Sequence, residues 1–549
     1  MTGLSRFFDS YYRLRPVNAT FTGVHDFDDR LPEWSPDGLA AAIDDMRLLR
    51  SSMHDATSPP PDLRDVRVRD EALAAAFLDV QIAELESLHF QRGNPSLAIG
   101  EAAFGIVALI TRPFAPASLR ADAVVGRLHA IPEFLDGAQR SMISGGVPDE
   151  WRAKALKECD GAERLIGGGL RRWLALESLP DDRMLPAAQC AGRAIEGFRR
   201  WLTTDVRSAG DDRYAAGPDM LDLLIARGHW SSTTRQELAA SAREALDDAL
   251  ASLHRRARTA APGGWPEVQD RLAARHPSTS EYLDAFQRTW NDCRARATEA
   301  RLVSWPEYPI QYVPIPPQTA DAARDLYYLF YRSPAPFDRL PIHDYVVTPI
   351  TEDMPPDEQQ RRLRAANSSV IKLNHVVHHG AIGHHVQNYR AYTGDSEVGR
   401  VAAVDCASRI GMFLGGTMAE GWACYATDLM EEIGFLTPDE ALAQQHTRAR
   451  LAARAVVDLG LHARSLSFDD AIALYRDRIG MSPDAARAEA CKNSMFPGTA
   501  LMYWLGTDGL HRLQATRRRT EGSTFDLQRF HDRVLSFGSI PVPLLERIW

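Results

Sequence analysis

Five of the chain's 17 histidines lie within the segment Leu373-Asn374-His375-Val376-Val377-His378-His379-Gly380-Ala381-Ile382-Gly383-His384-His385-Val386-Gln387. Neutral imidazole is the commonest side-chain ligand of transition metals. Crowded imidazoles disfavour one another's protonation and need many hydrogen-bond partners. A polar helix face with some satisfied core histidines would explain any one of these residues, but it explains the whole cluster less well. The cluster therefore predicts a metal site.

Two pairs of these histidines could share one ion. His375 and His379 are four residues apart and lie on one face of a straight helix. His378 and His384 are separated by about 240° around and about 9 Å along a regular helix. They could share an ion only where the helix is broken or bulged, which the glycines between them favour. The residues alone leave both pairings open.

A carboxylate that would complete the site lies in the segment Ala419-Glu420-Gly421-Trp422-Ala423-Cys424-Tyr425-Ala426. Its apolar and aromatic surroundings predict that Glu420 is paired, protonated or metal-bound, because an unpaired buried charge is costly. The alternative is a surface carboxylate in the first turn of a helix that begins after Gly415-Gly416. Cys424 is a candidate fourth ligand, although a small core residue is the more ordinary role.

The remaining sequence predicts a mainly α fold. Asp70–Leu88 and Arg235–Arg258 carry helix-forming residues at helical spacing, and Thr437-Pro438-Asp439-Glu440 and Ser482-Pro483-Asp484 are typical helix beginnings. Long helices are therefore expected over most of the chain.

Two stretches depart from the helical pattern. Pro59-Pro60-Pro61 predicts an exposed linker. The five prolines of Trp305–Pro317 require extended, irregular chain, and the β-branched and aromatic run Asp344–Thr348 predicts a strand. We therefore expect a small β-sheet near residues 300–350. We also expect an amino-terminal helical region over residues 1–300 and a metal-site region over residues 301–549, or one continuous domain.

Composition and charge exclude several classes of protein. The 549 residues are 45% hydrophobic and 25% charged, as in ordinary globular proteins. A formal net charge of −10 argues against binding to nucleic acid or to an anionic membrane surface. No run of eighteen apolar residues and no apolar core of a signal peptide is seen, and the six cysteines are scattered. These features predict a cytoplasmic protein with reduced thiols and no membrane partner.

Both candidate ligand segments resemble a known family. His378–Gln387 resembles the signature His-Glu-x-x-Pro-Gly-His-His-x-Gln of the bacterial domain-of-unknown-function family 885, whose members resemble gluzincin metallopeptidases. Glu420–Tyr425 matches the family's Glu-Gly-Trp-Ala-x-Tyr segment. Further similar blocks, from Pro16–Thr20 to Phe530–Asp532, extend the resemblance over essentially the full chain.

The resemblance implies a mostly helical, gluzincin-like architecture. It implies that His378 and His384 are the imidazole ligands and Glu420 the carboxylate ligand of a divalent metal. Zinc is the expected ion, with iron and manganese as alternatives. The pairing of His378 with His384 requires a helix that is broken between them. His385 would then support the ligands through hydrogen bonds, although the sequence leaves open whether His375 or His385 joins the site itself.

Three positions depart from the family signature. His379 replaces the glutamate that acts as general base in metallopeptidases, Ile382 replaces a proline, and Gln514 stands where an arginine is expected. Histidine can act as a base near neutral pH. Beside a dication it can instead become a third nitrogen ligand, which would give a fuller site than an open hydrolytic zinc site.

The functional prediction is a metal-dependent hydrolase that acts on an amide, a peptide-like substrate or a small acyl substrate. His379 would be the base or an extra ligand, and Tyr503 is a candidate oxyanion donor, with a core aromatic beside Trp504 as the alternative role. The missing glutamate argues against a conventional endopeptidase. It keeps two alternatives open: a repurposed metalloenzyme with lyase or oxidative chemistry on a small metabolite, and a non-catalytic, degenerate metallopeptidase. The sequence does not indicate an oligomeric state.

Overall fold

The structure is a computed structural model. It describes residues 2–53, 62–142, 146–326, 334–338, 340–404 and 409–549. The linker predicted at Pro59–Pro61 lies outside the described residues.

Helices form most of the described chain, which confirms the predicted mainly α fold. Before residue 300 the α-helices are Gly3–Leu14, Pro16–Thr22, Pro36–Ser51, Val66–Glu86, Pro95–Thr111, Ala117–Ser141, Asp149–Arg164, Leu170–Leu176, Met184–Thr204, Pro218–Leu223, Arg235–Ala260, Trp265–Ala273 and Tyr282–Glu299. After it they are Pro317–Ala320, Pro356–Ala365, Ser368–Val370, His384–Thr393, Glu397–Val401, Gly416–Glu432, Pro438–His462, Phe468–Ala473, Pro483–Met495, Leu501–Glu521, Leu527–Ser536 and Val542–Ile548.

Several helical turns are wider or tighter than an α-helix. The π-type segments are Leu165–Gly169, Leu224–Gly228, Ile371–Gly380, Gly411–Gly415 and Leu474–Arg478, and the 3₁₀ turns are Asp211–Tyr214 and Gly522–Thr524. Wide turns of this kind are frequent at functional sites. The longest of them contains three of the five clustered histidines.

Both predicted helix beginnings are present. The Thr437 hydroxyl accepts a hydrogen bond from the backbone N–H of Glu440, and the Glu440 carboxylate accepts one from the backbone N–H of Thr437 at 2.8 Å. The hydroxyl of Ser482 accepts a hydrogen bond from the backbone N–H of Ala485. Such caps satisfy donors that have no partner inside the helix.

A small sheet lies where the sequence predicted one. It consists of two parallel strands, β1 (Ile310–Pro314) and β2 (His343–Val347), with Tyr312 opposite Tyr345. The hydroxyl of Tyr345 lies 2.6 Å from Nδ1 of His375. The sheet therefore packs against the first histidine helix, the name used here for Ile371–Gly380.

The largest hydrophobic core contains side chains from Phe7 to Ile548, so residues on both sides of position 300 contribute to it. Its central part holds Val376 and Val377 of the first histidine helix together with Trp422. The division at residue 300 stays a prediction.

Within the described ranges, none of the helices is both long and apolar enough to cross a membrane.

The first histidine helix ends in a sharp break before the second histidine helix, His384–Thr393. A side chain at position 383 would place its Cβ only 1.9 Å from the backbone oxygen of His378, and one at position 380 would meet the Tyr312 hydroxyl oxygen at 2.3 Å. Both distances are far below van der Waals contact, and at position 383 the obstacle is backbone, so glycine is required there. The break that the sequence allowed is present.

Two tryptophans stabilise the break. The indole N–H of Trp290 donates to the carbonyl of Gly380 at 2.7 Å, and that of Trp422 donates to the carbonyl of Ile382 at 2.8 Å. Buried carbonyls that leave a helical ladder need replacement partners. The indoles supply them and fix the direction in which the chain leaves the first histidine helix.

We predict that Gly383→Ala lowers the free energy of unfolding by about 3 kcal/mol or more, because the new methyl group overlaps backbone that cannot rotate away. Gly197→Ala is the matched control. Gly197 is helical, and a methyl group added there would meet no atom within 4 Å apart from its chain neighbours and the backbone of its own helix, so alanine should raise stability by about 0.5–1 kcal/mol. Urea denaturation measures both, and equal effects of the two substitutions would contradict the steric argument.

Candidate metal centre

Three side chains from three helices converge beside the break. His378 lies near the end of the first histidine helix, His384 begins the second, and Glu420 lies in the second turn of the helix Gly416–Glu432, called here the Glu420 helix. Nε2 of His378 and Nε2 of His384 each lie 3.4 Å from Oε2 of Glu420. The structure thus brings together the pair of histidines that needs the broken helix.

These separations match those of a tetrahedral metal site. Two ligand atoms at about 2.0–2.1 Å from one tetrahedral ion lie about 3.3–3.4 Å apart. The same separations are long for good hydrogen bonds. Among the residues that the structure describes, the buried Oε2 atom of Glu420 has no hydrogen-bond partner. The donor set therefore fits a cation better than it fits a network of hydrogen bonds.

His379 joins the same cluster. Its ring centroid lies 4.6 Å from that of His378 and 5.3 Å from that of His384. One nitrogen atom from each of the three rings lies within 4.8 Å of one nitrogen atom from each of the others. Nδ1 of His379 lies 2.7 Å from the carbonyl oxygen of Asn374. Because a carbonyl only accepts, Nδ1 carries the proton and Nε2 keeps its lone pair. His379 can therefore accept a proton or bind an ion through Nε2.

Burial keeps the imidazoles in the neutral form that metals bind. It lowers the pKa of His378, against the opposing effect of Glu420, and it lowers the pKa of His379 well below 6.5 with a further contribution from His378. Burial also opposes ionisation of Glu420, but the imidazoles of His384 and His378 outweigh it and hold the Glu420 pKa well below 4.5. Neutral imidazoles and an ionised carboxylate are the protonation states required for coordination.

Trp422 positions Glu420 relative to the histidines. It lies two residues after Glu420 on the same helix, and its indole binds the Ile382 carbonyl inside the break. This contact fixes the Glu420 helix against both histidine helices. Sequence reasoning assigned Trp422 no role, although it is part of the Glu-Gly-Trp-Ala-x-Tyr segment quoted above.

The prediction for Cys424 as a fourth ligand gains no support. Its Sγ lies 3.9 Å from Nδ1 of His378, the ring nitrogen that does not approach Glu420. Burial, with the charge of Glu420, raises the pKa of the thiol. A protonated thiol is a poor ligand, so Cys424 is better described as a neighbour of the His378 ring.

The other two histidines of the segment make different contacts. His375 pairs with Tyr345 of β2, as described above. His385 is fully buried, stacks on Tyr308 at 5.2 Å between ring centroids and contacts the Tyr308 carbonyl through Nε2 at 2.9 Å. Burial lowers the pKa of both imidazoles to about 4. Among the described residues, neither belongs to the group of nitrogen atoms formed by His378, His379 and His384.

The cluster lies on the wall of a large cavity. The cavity has a volume of about 1790 Å³, and its lining includes the three clustered histidines, Glu420 and Tyr503. The Tyr503 ring lies 4.9 Å from the guanidinium carbon of Arg454. The structure therefore places the candidate oxyanion donor in the same cavity as the candidate ligands.

Comparison with known proteins agrees with this architecture. The family model described as "Bacterial protein of unknown function (DUF885)" matches residues 16–548. The solved structure of a predicted lipoprotein of unknown function from Shewanella oneidensis is similar to this one. The similarity covers 100% of this chain and 98% of the other chain, with a TM-score of 0.77 and 19% sequence identity. A second solved structure, of a predicted lipoprotein from Colwellia psychrerythraea, is similar over 100% of this chain and 97% of the other chain, with a TM-score of 0.72 and 17% sequence identity. These likenesses show the fold alone. No curated protein matched the chain.

We predict that zinc stabilises the protein through Glu420. Zinc at 100 times its dissociation constant should raise the free energy of unfolding by about 2.7 kcal/mol. Glu420→Gln should remove this response, because it replaces an anionic carboxylate ligand by a neutral amide.

Thermal melting with and without zinc after chelation measures this effect. His375→Gln is the matched control, since His375 lies on the same helix but contacts Tyr345, and its response to zinc should be that of the unmodified chain. Loss of the response in His375→Gln with retention in Glu420→Gln would favour the alternative pairing of His375 with His379.

Proposed function

The chain belongs to the DUF885 family of bacterial proteins of unknown function, and from this premise we propose that it is a metal-dependent hydrolase of amide, peptide-like or small acyl substrates. The observation that carries the proposal is the approach of the His378 and His384 Nε2 atoms to Glu420 Oε2, both at 3.4 Å. A divalent cation held there, zinc first, would supply Lewis-acid polarisation of a carbonyl group and would lower the pKa of water.

His379 is the proposed general base. The Asn374 carbonyl fixes the tautomer in which Nδ1 carries the proton and Nε2 carries the lone pair. Burial and the neighbouring imidazoles lower its pKa well below 6.5, so the unprotonated form that accepts a proton prevails at neutral pH. A neutral imidazole can accept one proton at short distance, in the role that the glutamate has in metallopeptidases.

Tyr503 is the proposed donor to the developing oxyanion. Its place on the same cavity wall as the candidate ligands supports this role.

The size of the cavity supports a substrate longer than a small metabolite. Sites for small ligands have volumes of about 300–1000 Å³, whereas this cavity has about 1790 Å³. An extended amide or a short peptide would fill such a space. The peptide-like member of the substrate class is therefore favoured.

A second candidate function follows from the position of His379 within the imidazole cluster. If Nε2 of His379 also binds the ion, the set becomes three nitrogens and one carboxylate, which also suits iron or manganese. Lyase or oxidative chemistry on a small metabolite, or a filled site without turnover, would then replace hydrolysis. Elemental analysis of protein purified without chelators separates these candidates, since iron or manganese at one ion per chain would favour the second.

The cellular location stays a prediction. The sequence favours the cytoplasm, while the two similar solved structures are described as those of predicted lipoproteins. Fractionation of cells that express the full-length gene would distinguish these locations.

We predict that His379→Ala separates catalysis from metal binding. The zinc-loaded protein should hydrolyse members of a panel of N-acyl amino acids, dipeptides and 4-nitrophenyl esters. His379→Ala should lower kcat by about 10²–10⁴, the contribution expected of a general base, and should keep one zinc ion per chain.

Activity assays paired with metal analysis test this prediction, with His375→Gln again as the control. Loss of zinc in His379→Ala would identify His379 as a ligand rather than a base. Absence of turnover on the whole panel by the zinc-loaded unmodified protein would contradict the hydrolase proposal.

A further inference from the structure

One helix presents a row of polar side chains to the cavity. This helix, Pro438–His462, is called here the arginine helix, and its cavity-lining residues include Thr447, Arg450 and Arg454. Residues 450 and 454 are four apart and share a helix face. Two guanidinium groups therefore lie on the same wall of the cavity.

Arg454 already has an anionic partner. Its Nε lies 2.5 Å from Oε1 of Glu489, with side chains only 13% and 14% exposed. The Tyr503 ring covers the same guanidinium. Its charge is compensated within the protein, so Arg454 needs no ligand.

Arg450 differs from Arg454 in this respect. Among the described residues, its Nε atom is buried and has no hydrogen-bond partner. Burial lowers its pKa, and the neighbouring charge of Arg454 lowers it further. The carboxylate with the largest opposing effect on this pKa, that of Glu489, is already bound to Arg454. A buried guanidinium without a counter-charge is unfavourable, and an anionic ligand would relieve it.

At least three other cavity-lining cations are paired with carboxylates of the protein. Arg409 pairs with Glu84, Lys154 pairs with Glu158, and Arg487 pairs with Glu150. The uncompensated guanidinium of Arg450 is therefore not a general property of the cavity wall.

Arg450 is also close to the candidate metal ligands. Its charge acts on His378, one of the two imidazole ligands, and on Cys424, which touches the same ring. The arginine helix and the Glu420 helix both line the cavity. A ligand bound at the metal centre would thus share the cavity with the guanidinium.

We propose that Arg450 binds a carboxylate of the substrate next to the metal centre. The proposed hydrolase would then act on amides or peptides that carry a carboxylate near the bond to be cleaved, and this inference rests on the proposed function. A carboxylate fits because a planar guanidinium binds it through two parallel hydrogen bonds. A phosphate dianion would call for more than one uncompensated cation.

Matched pairs of hydroxamates test the proposal. Succinic, glutaric and adipic monohydroxamic acids carry a metal-binding group at one end and a carboxylate at the other, and their primary amides are neutral counterparts of the same length. Binding to zinc-loaded protein is measured by isothermal titration calorimetry. At least one acid should bind the unmodified protein about 10- to 100-fold more tightly than its amide.

The variant Arg450→Gln should reduce this ratio to about one and leave the affinity for the amide unchanged. Arg450→Lys keeps the charge but not the two-point geometry, and should retain part of the preference. Arg487→Gln removes another cavity-lining cation and is the matched control, for which the ratio should stay as in the unmodified protein. Thermal melting of each variant verifies its fold.

The outcomes separate the two proposals. If the amides bind but no acid binds better than its amide, or if Arg450→Gln leaves the preference intact, the carboxylate subsite is wrong while the metal centre stands. If neither acid nor amide binds zinc-loaded protein, or the protein takes up no zinc, the proposed function fails and the subsite with it. Should Arg450→Gln fail to fold, the acid-to-amide ratio of the unmodified protein and of Arg450→Lys still decides.

Discussion

The candidate site depends on how two backbone carbonyls are satisfied where the first histidine helix breaks. The carbonyls of Gly380 and Ile382 accept hydrogen bonds from the indoles of Trp290 and Trp422. A buried carbonyl left without a partner costs about 1–3 kcal/mol. Because Trp422 lies two residues from Glu420, the same hydrogen bond that stabilises the break also sets the position of the carboxylate. The break in the backbone and the position of the carboxylate ligand therefore both depend on the hydrogen bond between Trp422 and Ile382.

This arrangement prepares the ligand atoms for a cation before one binds. The imidazoles of His384 and His378 hold the pKa of Glu420 well below 4.5, so its carboxylate is ionised at neutral pH. The Oε2 atom that would bind the ion makes no good hydrogen bond within the described part of the chain. A cation would replace the long contacts to the imidazoles without moving the helices, since the ligand atoms already have the separation that a tetrahedral ion requires.

The sequence predicted the parts of this site more readily than their arrangement. The histidine cluster and the glycines indicated a metal centre and allowed a break, but the choice between the two pairings depended on contacts from elsewhere in the chain. Tyr345, thirty residues before His375, contacts that imidazole. Trp290 and Trp422 come from separate helices. No periodicity within a fifteen-residue segment carries such information, because each partner is fixed only by the packing of the whole core.

The small sheet shows the same limit. The β-branched residues of β2 predicted that strand within one residue, whereas the prolines around β1 predicted only extended chain. β1 nevertheless pairs in parallel with β2, since its prolines lie outside the segment or at its last residue and leave the donors between them available. Arg450 gave no signal at all in the sequence. Its lack of a counter-charge depends on Glu489 pairing with Arg454, thirty-five residues away along the chain.

The charge of the proposed site connects His379 with Arg450. With glutamate at position 379, as in the family signature, the charges of a divalent metal ion, of that glutamate and of Glu420 would sum to zero. Histidine leaves the centre one unit more positive, and burial keeps that imidazole neutral. The uncompensated guanidinium of Arg450 adds a further positive charge on the same cavity wall. Charges in the wall of a protein cavity act more strongly on one another than charges in bulk water, and a neutral ligand would leave both without a counter-charge. The imidazole at position 379 and the guanidinium of Arg450 thus favour the same class of substrate. That substrate brings its own negative charge.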